Sequence, residues 1–344
     1  MTRRGAVLCL MAAVLFGAST PAASVLARDV PPVLLAGILY LGAAIAVLPF
    51  VVRRVPTMSS LRASWKPLSV AVVAGGAIGP VLLVLGLTRV DAATASLLLN
   101  LELIATLAIA TVWMHEHLTR RVVVGATLIT AGGVLLVWDP GAHWTAGALF
   151  VVGACICWGI DNSVTARVDQ ISAETIVMVK GAVAGSVNAV LGTVLAAQHG
   201  ATLTLGQLAG ALVVGALGYG ASIVLWVRGA RLLGAARAQL FFATAPFIGA
   251  AVAWTLLGEP IAWIQGVALL AALVGVALAV GGHHEHLHIH DAAAHDHEHL
   301  HPDEHHNHAH DPLVVGWHSH FHVHDQLVHE GAHIPDVHHH HRHD

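Results

Sequence analysis

The chain has 344 residues, of which 56% are hydrophobic and only 10% are charged, and its formal net charge is −4. About a quarter of the residues of a soluble domain are normally charged, so this composition excludes an ordinary soluble globular protein. The charge is also divided unevenly along the chain. Residues 283–344 hold one arginine and eleven acidic residues, whereas the preceding body carries a net positive charge. The body and the tail therefore differ in chemistry.

The body is a series of apolar segments joined by short connections that hold most of its charge. A helix needs about 20 predominantly apolar residues to cross a bilayer. We therefore predict an all-α integral membrane protein with ten transmembrane helices. These spans lie at about residues 5–27, 31–52, 68–88, 92–114, 121–138, 145–166, 174–197, 206–228, 236–257 and 262–281.

The first span also has features of a cleavable signal peptide. Arg3 and Arg4 precede it, and the small residues at 18–20 and 22–24 imitate a cleavage site. Removal of this segment would change the number of spans. It would also remove part of a residue pattern that recurs in the second half of the body, as described below. We therefore predict that this segment is a transmembrane helix of the mature protein.

The basic residues predict how the chain is oriented, because cytoplasmic loops of membrane proteins are enriched in lysine and arginine. With the N-terminus inside, twelve basic residues lie on the cytoplasmic side and only Arg28 and Arg89 lie outside. We therefore predict a multi-pass protein of the inner (plasma) membrane with both termini in the cytoplasm. The tail is then also cytoplasmic.

The two halves of the body share a pattern of residues. An aromatic-glycine pair at residues 16–17 of span 1 recurs at residues 158–159 of span 6, and Glu116 after span 4 recurs as Glu259 after span 9. Each glutamate is followed sixteen residues later by a glycine. Because each half has five spans, the second half would enter the membrane in the opposite orientation, as in secondary transporters built from inverted repeats.

These features, together with the small-residue run that leads into ASLLLNLELIA, resemble EamA-type members of the drug/metabolite transporter superfamily over about residues 5–281. The resemblance implies a carrier made of two five-helix repeats, at 1–140 and 141–282. Such carriers often export amino acids, metabolites or drugs, usually coupled to an ion gradient. The sequence departs from the family pattern at Leu103, where a proline is typical, although the second half keeps Pro246.

Ionisable residues inside a bilayer are costly, so they are candidates for function. Glu102 lies near the middle of span 4, with Asn100 two residues earlier. It could carry a coupling proton or make a structural hydrogen bond to a neighbouring helix. Asp161 and Lys180 lie at similar depths in antiparallel neighbouring spans, so the two side chains could meet. They could form a structural ion pair, a gate or a substrate contact. Alternatively, the Lys180 side chain could extend to the membrane surface. Asn162 is a candidate for the same cavity.

Two glutamates, Glu116 and Glu259, lie at helix ends near the lipid headgroups. The family resemblance implies a structural or gating role for them, and we favour the structural one. His115 and His117 flank Glu116. If the helix has ended there, an extended backbone would place both histidines on one face.

The tail contains all but four of the 28 histidines and none of the three cysteines. Neutral imidazole binds zinc, nickel and cobalt well, and histidines in an H-x-H sequence share one face of an extended chain. Because the tail is highly charged, we predict that residues 283–344 are disordered. The sequence of the tail is also too varied for a purification tag. Metal binding should weaken as pH falls through about 6.5, since ligation requires neutral imidazole. The predicted ligands are His283, His284, His286, His288, His290, His295, His297, His299, His318, His320, His322, His324, His338, His339, His340 and His341.

The sequence therefore predicts a secondary transporter, an exporter of a small solute. The tail would either collect a metal cargo or regulate the transport of an organic one, and the spans favour the organic cargo because they hold no histidine at mid-depth. The alternative is a membrane-anchored metal buffer or sensor. We expect no enzyme, since no nucleophile–base set, phosphate loop or haem motif is present. The expected partners are the bilayer, the cargo and a proton or other ion gradient, with no nucleic acid and no required cofactor.

Overall fold

The body of the protein is helical. The computed structural model describes residues 3–114, 120–137, 146–165, 168, 170–198, 203–233, 235–280, 284–290, 293–299, 318–324 and 327–333. In these ranges the helices are α1 (Arg3–Leu26), α2 (Pro32–Arg53), α3 (Met58–Ala63), α4 (Trp65–Val70), α5 (Gly79–Leu87), α6 (Ala92–Leu98), α7 (Leu101–Met114), α8 (Arg120–Val137), α9 (Ala146–Thr165), α10 (Ala173–Gln198), α11 (Leu205–Val214), α12 (Ser222–Leu233), α13 (Ala235–Phe242), α14 (Ala245–Leu256) and α15 (Trp263–Val280).

Within the described part of the chain, eight helical stretches are long and apolar enough to cross a membrane. They are Arg3–Leu26, Pro32–Arg53, Trp65–Leu87, Ala92–Ile109, Ala146–Thr165, Ala173–Gln198, Leu205–Leu233 and Ala238–Leu256. Each coincides with a predicted span. The other two predicted spans correspond to α8 and α15, whose apolar stretches, Val123–Leu136 and Trp263–Leu278, are shorter. The protein is thus a multi-pass helical membrane protein.

The outer surface of the helical body is apolar. Helices suit a lipid environment because they satisfy their own backbone hydrogen bonds, and lipid also accepts apolar side chains on the surface. Small residues and leucines fill much of the interior. Large hydrophobic side chains are exposed on the outside, among them Val14, Ile45, Val73, Val190, Leu217 and Leu270.

Two long helices change their hydrogen-bond pattern midway. Residues Ala71–Ile78, between α4 and α5, form a π-helix, and so do residues Gly215–Ala221, between α11 and α12. Single-turn π segments are often found at functional sites. These two segments occupy matching places in the two halves of the body, and both lie beside a central cavity.

Two other predicted spans are interrupted. The helix of span 4 breaks between α6 and α7 at residues 99–100, and that of span 9 breaks between α13 and α14 at residues 243–244. Pro246 lies in the first turn of α14 and has no backbone N–H, so it cannot bond to the carbonyl group four residues earlier. The break in span 4 occurs without a proline, which is why the sequence did not predict it.

The helices of the two halves pack together closely in pairs, including α2 with α10, α8 with α15, α1 with α14 and α7 with α9. The aromatic-glycine pairs of the sequence repeat lie in two of these contacts. A Cβ atom at Gly17 would lie 2.4 Å from the carbonyl oxygen of Ala245, and one at Gly159 would lie 2.7 Å from the Cβ of Ala105. Glycine at these positions therefore lets α14 and α7 approach α1 and α9.

Part of the tail forms strands, which differs from the disorder predicted for it. Strand β1 (His284–His290) pairs with β4 (Leu327–His333), and β2 (Ala293–His299) pairs with β3 (His318–His324), both antiparallel. Low hydrophobicity and high charge predicted disorder. The alternation of histidine with other residues, however, has the two-residue period of a β-strand, and this period accounts for the difference.

Candidate functional site

A cavity of about 50 Å³ lies inside the helical body. Six aromatic side chains line it, namely those of Phe16, Tyr40, Trp158, Tyr219, Trp226 and Phe242. The polar side chains of its wall are those of Glu102, Asp161, Asn162, Thr165, Lys180, Ser222 and Gln239. The structure thus brings four of the five predicted intramembrane candidates to one cavity.

The aromatic residues of the sequence repeat meet in this cavity. Phe16 and Trp158, which occupy equivalent places in the two halves, contact edge to face with ring centroids 5.7 Å apart. Phe16 also contacts Tyr219 at 5.9 Å. Edge-to-face contacts are favourable for aromatic rings. The repeated motif therefore supplies part of the cavity wall.

Glu102 is buried in the first turn of α7, directly after the helix interruption. Its Oε1 accepts hydrogen bonds from Asn162 Nδ2 at 2.7 Å and from Gln239 Nε2 at 3.3 Å. The start of a helix favours a negative charge, because the free backbone N–H groups point toward it. Both side-chain donors are neutral amides, so these contacts orient the carboxylate without neutralising it.

Asp161 and Lys180 form an ion pair between α9 and α10. Thr165 Oγ1 also donates a hydrogen bond of 3.0 Å to Asp161 Oδ1. Lys180 is only 2% exposed, so its ammonium group does not snorkel to the surface. Asp161 therefore has a positively charged partner. The side-chain hydrogen-bond donors of Glu102, in contrast, are both neutral.

The first π-helical segment holds this ion pair in place. A Cβ atom at Gly75 would lie 2.0 Å from Asp161 Oδ2, so glycine is needed where the segment passes Asp161. The carbonyl oxygen of Gly75 accepts hydrogen bonds from Tyr40 OH at 2.6 Å and from Trp158 Nε1 at 3.1 Å. The same segment therefore orients two aromatic side chains of the cavity wall.

Several buried polar atoms of the cavity have no hydrogen-bond partner in the described structure. They are Tyr219 OH, Trp226 Nε1 and Gln239 Oε1, on side chains that are at most 5% exposed. Buried polar groups are nearly always hydrogen-bonded. These atoms are therefore available to a bound solute, ion or water molecule.

A second, smaller cavity of about 10 Å³ adjoins the first. Asn100, the fifth predicted candidate, lines this cavity and not the larger one. Glu102 and Gln239 line both cavities and so form part of the wall between them. The smaller cavity lies at the two helix interruptions, since Leu99, Ala243 and Pro246 also contribute to it.

Glu259 lies away from both cavities. Its two carboxylate oxygens each accept a hydrogen bond of 2.9 Å, from the backbone N–H groups of Ala92 and Ala93 at the start of α6. Gln265 Nε2 donates to Asp91 Oδ1 at 2.8 Å in the same region. These contacts tie the connection before α15 to the start of α6. The other predicted helix-end residues, Glu116, His115 and His117, lie outside the described residues.

A different set of contacts lies at the opposite ends of the helices. Arg228 of α12 forms an ion pair with Glu174 of α10. Arg231 donates a hydrogen bond of 2.7 Å to the carbonyl oxygen of Ile171, in the connection before α10. Together these contacts hold the end of α12 against the start of α10.

The metal ligands predicted in the tail fall partly in the strands. Among the residues that the structure describes, no group of three or more His, Cys, Asp or Glu side chains is placed to hold a metal ion. The strand register brings pairs of histidines opposite each other, while His283 and residues 338–341 lie outside the described residues. The pairs are His284 with His333, His288 with His329, His295 with His322, His297 with His320 and His299 with His318.

The sequence did not single out Gln239, Tyr40, Tyr219 or Trp226 as site residues. Gln239 carried a usable signal, because it is a polar amide within an apolar span, like Asn162. The aromatic residues carried no such signal, since aromatic side chains also fill hydrophobic cores. Only their common position around the cavity distinguishes them.

Comparisons with known proteins identify a relative in sequence and a protein of similar fold. A relative from Methanothermobacter thermautotrophicus, described as an uncharacterized transporter, is 27% identical over 206 residues, which is 58% of this chain and 60% of the relative. The aligned part is therefore less than two thirds of the relative's length. A protein of known crystal structure has a similar fold, with a TM-score of 0.59 at 19% identity, over 80% of this chain and 96% of its own.

The family comparison covers nearly the whole body. The model of the EamA-like transporter family matches the chain twice, at residues 3–138 and again at residues 145–281. The two matches together contain both cavities and all the residues that line them. The chain belongs to the EamA-like transporter family.

Proposed function

We propose that the protein is a secondary transporter that exports a small organic solute through the aromatic cavity. The observation that carries this proposal is a buried cavity, lined by six aromatic rings and by charged groups, in the middle of an EamA-family body. Aromatic rings bind the apolar part of a solute. The unpartnered atoms Tyr219 OH, Trp226 Nε1 and Gln239 Oε1 would bind its polar groups.

The proposed transporter is built from two inverted repeats of five spans, with α8 and α15 as the fifth span of each. Three observations support this arrangement. The same family model matches both halves, the two π-helical segments occupy matching places, and so do the two helix interruptions. Inverted repeats with interrupted helices are a common basis of alternating access, with the substrate site between the repeats.

The proposed topology places contacts on each side of the cavity. Thr165, which lines the cavity, ends α9 on the side that the basic residues assign to the cytoplasm, where Arg228 pairs with Glu174. The contact of Glu259 with the start of α6 then lies on the outer side. In the proposed direction of export, a solute would enter once the cytoplasmic contacts open and leave once the outer contact opens.

Glu102 is the proposed coupling residue. It is the carboxylate shared by both cavities, and its side-chain hydrogen-bond donors are neutral amides. A group whose charge is not neutralised within a low-dielectric interior gains most from binding a cation. The Asp161–Lys180 pair is instead proposed to fix the relative positions of α9 and α10.

The tail is proposed to bind zinc, nickel or cobalt. The aromatic cavity favours an organic cargo, so the tail would regulate transport in response to metal. In a second version the tail collects metal as cargo or as a complex with the organic solute. A membrane-anchored metal buffer is less favoured, since buffering requires no cavity within the membrane body.

The test of transport uses the full chain reconstituted into liposomes. Labelled amino acids, aromatic amines and aromatic carboxylates would be screened by counterflow, in which unlabelled solute inside the vesicles drives accumulation of the label. We expect saturable counterflow of at least one solute class. Accumulation driven by an ion gradient should be lost in Glu102→Gln and kept in Asp29→Asn, a matched control because Asp29 is exposed. Gradient-driven accumulation that survives in Glu102→Gln would contradict the assignment of the coupling residue.

A further inference from the structure

We propose that the smaller cavity is a sodium-ion site, formed by the side-chain oxygens of Asn100 and Gln239 and by the carboxylate of Glu102. All three residues line this cavity. The inference rests on the proposed function, because it identifies the cation whose gradient would drive the transporter. It adds a binding site that is separate from the aromatic site for the solute.

The two amide groups at the smaller cavity each have an oxygen without a donor among the described residues. The Nδ2 of Asn100 donates to the carbonyl oxygen of Leu97 at 2.9 Å, and the Nε2 of Gln239 donates to Glu102 at 3.3 Å. Their oxygens, Asn100 Oδ1 and Gln239 Oε1, are buried and have no donor in the described structure. Each side chain is only 3% exposed. Two acceptors and a carboxylate therefore border one small cavity.

The charges around the two cavities favour a monovalent cation. The Asp161–Lys180 pair carries no net charge, so an ionised Glu102 leaves the two joined cavities with one negative charge. Within a membrane protein such a charge needs a positive partner. A divalent ion would reverse the sign of the charge, whereas a monovalent ion neutralises it.

The number of free oxygens favours a metal cation over a proton. A proton on Glu102 would create one O–H donor, which can satisfy only one of the two amide oxygens. A cation can be coordinated by both amide oxygens and by the carboxylate at once, since small hard cations prefer oxygen ligands. The orphaned oxygens are therefore better explained by a bound cation than by protonation of Glu102 alone.

The interruption between α13 and α14 also leaves one backbone carbonyl group without its usual helical donor. Pro246 has no N–H to donate to the carbonyl group of Phe242, four residues earlier. Both residues line the smaller cavity. In transporters with interrupted helices, unwound backbone carbonyls coordinate the coupling ion. The break between α13 and α14 thus offers a backbone ligand next to the three side-chain ligands.

The cavity arrangement also explains how the ion would act on the solute site. Glu102 and Gln239 belong to both walls, and Gln239 donates to Glu102. An ion bound at the Gln239 oxygen would fix this amide, and with it the carboxylate that faces the solute. Release of the ion would free both groups. Ion and solute binding would then be coupled through two side chains.

The test is direct binding of ²²Na⁺ to the purified full-length chain in detergent, at fixed pH and with ionic strength balanced by choline chloride. We expect saturable binding that unlabelled NaCl displaces and that KCl displaces at least tenfold less well. Asn100→Ala and Gln239→Leu should each weaken binding at least tenfold. Asn100→Asp keeps an oxygen ligand and should bind at least as tightly as the unmodified chain.

Asn188→Ala is the matched control. Asn188 is a buried amide that donates to the carbonyl oxygen of Ala77 and lines neither cavity, so its substitution should leave sodium affinity unchanged. The proposal is overturned if the unmodified chain shows no saturable binding, as expected of a site filled by water alone. Equal displacement by KCl, or unchanged affinity in Asn100→Ala, would also overturn it.

Solute counterflow in sodium chloride medium and in sodium-free choline medium, measured on the same preparation, separates this inference from the proposed function. Solute exchange without sodium binding would contradict only the sodium site. Sodium binding in a protein that exchanges no solute would support the site and contradict transport.

Discussion

Two buried carboxylates in this protein have opposite surroundings. Asp161 contacts the ammonium group of Lys180 and the hydroxyl group of Thr165, whereas the side-chain donors to Glu102 are two neutral amides. Glu102 also lies at a helix interruption between two cavities, while Asp161 lies within a continuous helix. A carboxylate with a permanent partner keeps its charge and position. One without such a partner is the candidate for cation exchange in the proposed transport cycle.

The largest effect on stability is expected from breaking the permanent pair. Lys180→Met leaves Asp161 buried without its cation, which should lower the free energy of unfolding by about 3–5 kcal/mol. Thermal unfolding can be followed through reaction of the free cysteines with a thiol-sensitive dye, because Cys9 and Cys155 are buried in the folded protein. Addition of Asp161→Asn to Lys180→Met should recover most of the loss. Equal destabilisation by Glu102→Gln would erase the contrast between the two carboxylates.

Gly75→Ala tests how closely the ion pair is packed. The new Cβ atom would lie 2.0 Å from Asp161 Oδ2, so the π-helical segment or the pair must shift, at a cost of about 1–3 kcal/mol. Gly206→Ala is the control, because a Cβ atom at this position meets nothing within 4 Å. The same thermal assay should show a lower unfolding temperature for the first variant alone. Similar unfolding temperatures for the two variants would mean that close packing beside Asp161 does not require glycine at position 75.

Glu259→Ala tests the contact that the proposed topology places on the outer side. It leaves the N–H groups of Ala92 and Ala93 without their carboxylate acceptor, and the loss of a helix cap costs about 0.5–2 kcal/mol. Thr204→Ala removes an exposed cap on α11 and should cost a similar amount. Only Glu259→Ala should change the rate of solute counterflow. Unchanged counterflow would limit Glu259 to a structural role.

The smallest effect on the membrane body is expected from removing the tail. A chain of residues 1–282 should keep the unfolding temperature of the full chain within error. It should lose zinc binding, which calorimetry can measure on both chains. Zinc binding to the full chain should weaken as pH falls through about 6.5, because protons compete with the metal for neutral imidazole. Equal zinc affinity in both chains would contradict the proposal that the tail binds metal and regulates transport.

Much of the structure of the membrane body could be predicted from the sequence. Apolar runs located the eight long helical stretches, and the antiparallel order of neighbouring spans was enough to suggest that Asp161 and Lys180 could meet. The helix break beside Glu102 was not predictable, because Leu103 stands where the family pattern has a proline. The position of Gln239 depends on contacts between the two halves, which a single-sequence pattern does not contain.

The tail shows the opposite difficulty. Its composition predicted disorder, but the two-residue alternation of histidine fits strand pairing between segments up to about 40 residues apart, such as β1 and β4. Composition describes the average solvation of a segment, whereas pairing depends on register. The prediction of disorder followed composition alone and so missed the pairing.

The most direct test of the central claim compares Glu102→Gln with the unmodified chain in liposomes. Exchange of labelled for unlabelled solute needs no ion gradient, whereas accumulation against a solute gradient does. Glu102→Gln should abolish gradient-driven accumulation, while Asp29→Asn should behave like the unmodified chain. Gradient-driven accumulation at the unmodified rate in Glu102→Gln would contradict the claim that this unpaired carboxylate couples transport to a cation.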